Sequence, residues 1–123
     1  MALQNILTTN NNAMSEENKS ESRIEQFKKI FEKNPDNALV RYSLANEYFK
    51  IKDYKNAVNE LIYYLNSYSD EGSGYRLLAE SYIELGETEK ARETYKKGID
   101  AARRHGHPGM ADEFEEALEF ILD

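Results

Sequence analysis

Residues 41–61 read RYSLANEYFKIKDYKNAVNEL, and residues 75–95 read YRLLAESYIELGETEKARETY. Laid over one another they share four anchors at a single offset: Leu44 and Leu78, Ala45 and Ala79, Tyr48 and Tyr82, and Ala57 and Ala91 are each 34 positions apart. Within each stretch the apolar residues recur every three or four positions, the period of a helix with one buried face. A break at KIKDY divides the first stretch and Gly86 divides the second, and two helices joined by so short a link must pack antiparallel. The same hairpin is written twice, and self-similarity at this period marks stacked helical hairpins.

The pattern extends outward from the repeated unit. A capping box at Ser22 and Glu25, followed by Ile24, Phe27, Ile30 and Phe31, predicts a helix that ends near Lys33. Pro35 in NPDN biases Asn34 away from helical geometry, and Asp36 or Asn37 is placed to cap the next helix. Further helices are expected over about 37–51, 54–67, 74–85, 88–104 and 109–122, the last with Met110, Phe114, Ala117, Leu118, Ile121 and Leu122 on its apolar face. Residues 1–20, rich in Asn, Thr, Ser and Glu, bury too little apolar area to offset the entropy of ordering, and a disordered tail is expected there. Met14 reads as a second start, so residues 1–13 are either a flexible tail or no part of the native chain. Residues 21–123 are expected to form one domain, with repeats at about 38–71 and 72–105 and a capping helix at about 109–122.

Composition narrows the functional classes. The chain has 123 residues, enough for one domain with a continuous core. A net charge of −7 repels phosphate backbones, which disfavours broad nucleic-acid binding. Without cysteine there is no disulfide, thiol nucleophile or thiolate metal site. No stretch has the basic start and apolar core of a secretory signal or the length of a membrane span, so a cytoplasmic protein without a membrane partner is expected.

Residues 41–61 and 75–95 closely resemble the tetratricopeptide repeat family, whose unit is a helical hairpin of this length. The resemblance covers about residues 38–104 as two full repeats, with RIEQFKKIFEKNPDN similar to the second helix of a preceding one. It implies an all-α fold, an α-α superhelix of about six helices, capped by a last helix whose outer face is acidic. The physics of the anchors agrees: alanines at 45, 57, 79 and 91 let helices approach closely, and Tyr48 and Tyr82 fill the groove beside the next helix. Ala57→Leu or Ala91→Leu is therefore expected to cost about 1–3 kcal/mol, and unchanged thermal melts for both would refute the assignment. Three departures stand out. Lys52 replaces the family's usual glycine, which predicts a strained or differently shaped turn; SYSDEGSG lacks the inter-repeat proline, which predicts a soft junction; and Gly98 takes a slot that normally holds alanine.

Reactive chemistry is thin, and a noncatalytic protein without cofactor or metal is expected. His105 and His107 flank Gly106, with Asp112 or Glu113 nearby, but alternating histidines in a Gly and Pro loop read as a turn rather than a metal site. Asp112, Glu113, Glu115, Glu116 and Glu119 read as a solvated acidic face, and Lys96, Lys97, Arg103 and Arg104 as a basic cluster whose end complements a helix dipole. No phosphate-cradling loop or nucleophile elbow is present.

In the family the first helix of each hairpin lines a concave groove. The resemblance therefore implies that Leu39, Tyr42, Asn46 and Phe49 of the first repeat and Ser73, Arg76, Glu80 and Ile83 of the second face a peptide. Tyr42, Phe49 and Ile83 would supply apolar area, Asn46 would bond a peptide backbone, and Arg76 would take a carboxylate in a two-pronged bond. The competing reading has Tyr42 and Phe49 packed against the first or last helix and Arg76 paired with Glu80, one turn on. A family branch clamps chaperone C-terminal carboxylates on these positions, but only Asn46 fits it, with Tyr42 where lysine and Leu77 where asparagine are expected. The function expected is a protein-interaction module that binds a peptide segment or protein partner. The alternative is a structural, self-associating subunit using helix 54–67, where Val58, Ile62 and Tyr63 lie beside the stripe of Ala57, Leu61, Tyr64 and Leu65.

Overall fold

Six helices follow one another in the computed structural model, which describes residues 15–121: α1 Glu16–Lys33, α2 Ala38–Lys50, α3 Tyr54–Ser67, α4 Ser73–Glu84, α5 Thr88–Arg104 and α6 Pro108–Phe120. Each helix packs against the next, and α2 also touches α4. Contacts thus run between sequence neighbours, as in a stack of hairpins whose units each bury one face against the unit before. Residues 1–14 of the tail expected over 1–20, and Leu122 on the last apolar face, lie outside the described residues.

Residues 16–20, expected in the tail, are helical. α1 begins at Glu16, well before the Ser22 capping box, because Ser15 caps it first: its Oγ accepts the Asn18 N–H at 3.1 Å, and Glu16 and Glu17 complement the positive end of the helix. Ser20 is fully buried, and Ile24 joins Val40 and Leu44 in a small core between α1 and α2, with Phe27, Phe31 and Tyr48 packed around it. Ile30, expected on the apolar face, is exposed. Both prolines stand at boundaries: Pro35 lies in the turn between α1 and α2, and Pro108 opens α6, where its missing N–H costs nothing.

The repeat anchors form the core that joins the hairpins. Ala45, Ala57, Ala79 and Ala91 have no exposed surface, and Leu44, Leu78 and Tyr82 are buried. Ala45 and Ala91 share a cluster with Leu61, Tyr64, Leu77 and Leu78, which fuses the first hairpin to the second. Ala79 belongs with Tyr95, Ile99 and Phe114, which fuses the second hairpin to α6.

Lys52 does not change the shape of its turn. After α2 the N–H of Lys52 donates to Phe49 O (3.0 Å) and that of Asp53 to Tyr48 O (2.9 Å); after α4 the N–H of Gly86 donates to Ile83 O (3.0 Å) and that of Glu87 to Tyr82 O (2.8 Å). The two are one helix-ending turn, with the αL residue at φ +64° in Lys52 and +76° in Gly86. The cost of the departure is therefore local to one residue's backbone. Lys52→Gly is expected to raise stability by about 0.5–1 kcal/mol, and Gly86→Ala to lower it by about 1 kcal/mol, since no neighbour stands within 4 Å of an added Cβ there. Equal denaturation midpoints for the two variants and wild type would contradict this.

The junction between repeats, expected to be soft, carries a set of buried side-chain bonds. Asp70, buried after α3, accepts the Tyr64 hydroxyl at 2.5 Å on one oxygen and the N–H groups of Gly72 (2.7 Å) and Gly74 (2.8 Å) on the other. Gly74 is small for a reason: an added Cβ would come within 2.7 Å of the Tyr64 ring and 3.1 Å of Leu65. A carboxylate that bonds two N–H groups at the start of α4 does by side chain what the missing proline does by restricting the backbone.

Candidate functional site

The eight residues expected in the groove lie on α2 and α4, and the helical period puts each set one turn apart. Leu39 and Ile83 are exposed, at 54% and 43%. Tyr42, Asn46, Phe49, Ser73, Arg76 and Glu80 are half-buried. The Tyr42 ring lies 5.1 Å from Tyr64, and Phe49 meets Tyr54 edge-on at 5.3 Å, so both aromatics lean on α3 rather than on the first or last helix. Asn46 makes no hydrogen bond among the described residues. The Ser73 hydroxyl donates to Glu71 at 2.6 Å.

Arg76 is not paired with Glu80. It bonds Glu113 of α6, and its guanidinium stands over the Phe114 ring at 5.2 Å from the centroid. The reason is the packing of α6: Phe114, fully buried, seats itself against α5 and draws the neighbouring Glu113 within reach of Arg76. Glu80 is left without an ion pair among the described residues, and burial pushes its carboxyl up against the opposing pull of Arg76. The Tyr42 hydroxyl is pushed up by burial and then by Asp70 and Glu71, again opposed by Arg76. Tyr95 is pushed up by burial and by Glu80, and Arg76 opposes this too. Tyr42, Arg76 and Glu80 thus share one electrostatic neighbourhood with Tyr95, which sequence reasoning had placed only on the face of α5. At the Ile83 end, a cavity of about 370 Å³ is bounded by Ile83, Thr88, Ala117, Phe120 and Ile121.

Sequence reasoning also missed Glu47 and Arg41. Glu47 is buried beneath α1, bonded by Arg23 at 2.9 Å and Lys50 at 3.2 Å. Burial pushes its carboxyl up, but the nearby Ser20 hydroxyl and the two cations outweigh this and hold it below its usual range. Ser20 Oγ and Glu47 Oε2 complete no hydrogen bond of ordinary geometry, so the cations carry the contact. Arg41 lies between the rings of Phe31 and Tyr63, 4.2 Å from each centroid, and bonds Glu60 at 2.9 Å, tying α1, α2 and α3 together. A polar residue beside a repeated Leu-Ala pair was the only available signal for Glu47. For Asp70 the signal was stronger, because Asp followed by Gly at two and four positions is the spelling of a side-chain cap.

His105 serves the turn before α6: Nδ1 donates to Ala101 O at 2.9 Å, and Nε2 faces the Ser69 hydroxyl at 3.5 Å. Among the described residues no three His, Asp or Glu side chains converge as a metal site, and no helix is long and apolar enough to cross a membrane.

Comparison with known proteins meets this architecture at its second hairpin. Residues 74–105, which cover α4 and α5, match the family described as tetratricopeptide repeat. The chain is also similar to the TPR repeat-containing protein PA0015 of Pseudomonas aeruginosa, 29% identical over 83 residues that make up 68% of this chain and 79% of that protein. With the four anchor alanines buried at the two hairpins and the family match on one of them, residues 74–105 resemble a tetratricopeptide repeat, and the six described helices fit the build of a small tetratricopeptide-repeat protein.

Proposed function

We propose that the chain is a noncatalytic interaction module that receives a peptide segment of a partner protein on the face shared by α2 and α4. Tetratricopeptide repeats are generally protein-interaction modules, and the peptide and its place on this chain are our reading. The observation that carries it is Arg76 within electrostatic reach of both Tyr42 and Glu80, flanked by an Asn46 carboxamide without a hydrogen bond among the described residues and by exposed Leu39 and Ile83. Such a mixture offers apolar contact at the ends and directional bonds in the middle. Leu39→Asp/Ile83→Asp alters only exposed side chains and should preserve the melt. In affinity purification with quantitative mass spectrometry, that variant is expected to lose partner recovery by about tenfold, and equal recovery would count against the reading.

A second reading, self-association through α3, is favoured by the exposure of Ile62 (41%) and Tyr63 (62%) on that helix. Sedimentation at high micromolar concentration separates the two: a monomeric mass removes the homo-oligomer.

A further inference from the structure

A furrow lies on the side of α4 away from Arg76 and Glu80. Three adjoining cavities, of about 200, 340 and 340 Å³, run along a furrow between α3 and α5, and all three are lined by Tyr82. The floor is α4, recessed between its neighbours, with Leu78 and Tyr82 at the bottom; Ile62 and Leu65 form the α3 wall, and Thr94 belongs to the α5 wall. Along α3 the furrow extends from Lys55 to Asn66, about 16 Å at the helical rise, enough for roughly three turns of a partner helix.

The charges around it are not balanced. Each carboxylate on the rim is already engaged by a cation of α5: Glu87 by Lys90 at 3.2 Å, Glu89 by Arg92, and Glu93 by Lys96 at 4.0 Å. Lys90 also lies 5.8 Å from the Tyr82 centroid. Lys55 and Lys97, exposed and on opposite walls, have no ion pair among the described residues. In a chain of net charge −7, the two unengaged charges that line this furrow are both positive.

We propose that the furrow between α3 and α5 is a second docking surface, which takes an amphipathic helix of a partner protein whose apolar ridge seats over Ile62, Leu78 and Tyr82 while flanking carboxylates reach Lys55 and Lys97. This surface is independent of the α2 and α4 face. Apolar contact supplies the affinity, and the lysines select the sign of the partner and its orientation.

The test uses the full chain and two synthetic helical peptides of about twelve residues, with leucine at every third or fourth position and either glutamate or lysine elsewhere. In a titration followed by NMR, the glutamate peptide is expected to shift resonances of Ile62, Leu78 and Thr94 and to leave those of Leu39 and Asn46 in place. Lys55→Glu/Lys97→Glu, which breaks no internal ion pair, should keep the melt unchanged and weaken that peptide by about tenfold or more, and added salt should do the same in wild type. Equal binding of both peptides, shifts confined to the α2 and α4 face, or no shift at about millimolar peptide would overturn the proposal. So would concentration-dependent self-association abolished by the same variant, which would make a second copy the occupant.

Discussion

Asp70→Ala is expected to destabilise the protein by about 3–4 kcal/mol, lowering the melting temperature by about 15 °C or more. The side chain is only 4% exposed, and its removal strands three donors in one place: the Tyr64 hydroxyl and the N–H groups of Gly72 and Gly74. Each buried donor left without an acceptor costs about 1–3 kcal/mol, and water that enters the gap recovers only part. The effect concentrates at the junction because Gly72, at φ +142°, has an unusual backbone held by that carboxylate. Asp70→Asn keeps one acceptor oxygen and should fall between wild type and alanine. Tyr64→Phe removes a single charge-assisted bond and should cost about 1.5–3 kcal/mol. Burial, and then the Asp70 carboxylate, push the Tyr64 hydroxyl above its usual range, which keeps it a donor at neutral pH. A melt for Asp70→Ala within about 2 °C of wild type would mean that the junction is carried by apolar packing alone.

Phe114→Ala is expected to cost about 3–5 kcal/mol and to loosen α6 from the second hairpin. Its ring is 1% exposed and packs with Ala79, Tyr95, Ile99 and Ala102, 5.6 Å centroid to centroid from Tyr95. What admits the ring is Gly98. A Cβ there would stand 2.9 Å from Phe114 Cε2 and 3.0 Å from Tyr75 Cβ, so the family's usual alanine does not fit. Gly98→Ala should therefore destabilise wild type by about 1–3 kcal/mol although alanine is the better helix former. In the Phe114→Ala background the same substitution loses much of its clash and keeps its gain in helix propensity. The two changes should couple by at least about 1 kcal/mol in a double-mutant cycle, whereas strict additivity would show that Gly98 is not the seat of the ring.

These effects separate what could be read along the chain from what could not. The anchors Ala45, Ala57, Ala79 and Ala91 were legible because close helix approach demands small residues and the demand recurs at the repeat length. Most boundaries fell where local rules put them, with two capping misses: at α1 Ser15 competed with Ser22 and won, and at α2 Asn37 stands at the N-cap without a side-chain bond. Of the candidate site, the one-turn spacing of the positions on α2 and α4 was legible through helical period, but their pairings were not. Arg76 had Glu80 at i+4, and nothing in a linear reading ranks that neighbour below Glu113, 37 residues away.

Helical period and small-residue spacing are local quantities, so this sequence alone specified an all-α stack of two hairpins with an extra helix at each end. Three matters depended on how the helices settle against one another in space. Arg76 turned to α6, Asp70 went beneath the junction, and α4 sank between α3 and α5 to leave a furrow bordered by Lys55 and Lys97. A long side chain reaches several partners of similar Coulomb energy, and a bulky ring such as Phe114 decides among them by where it can be buried.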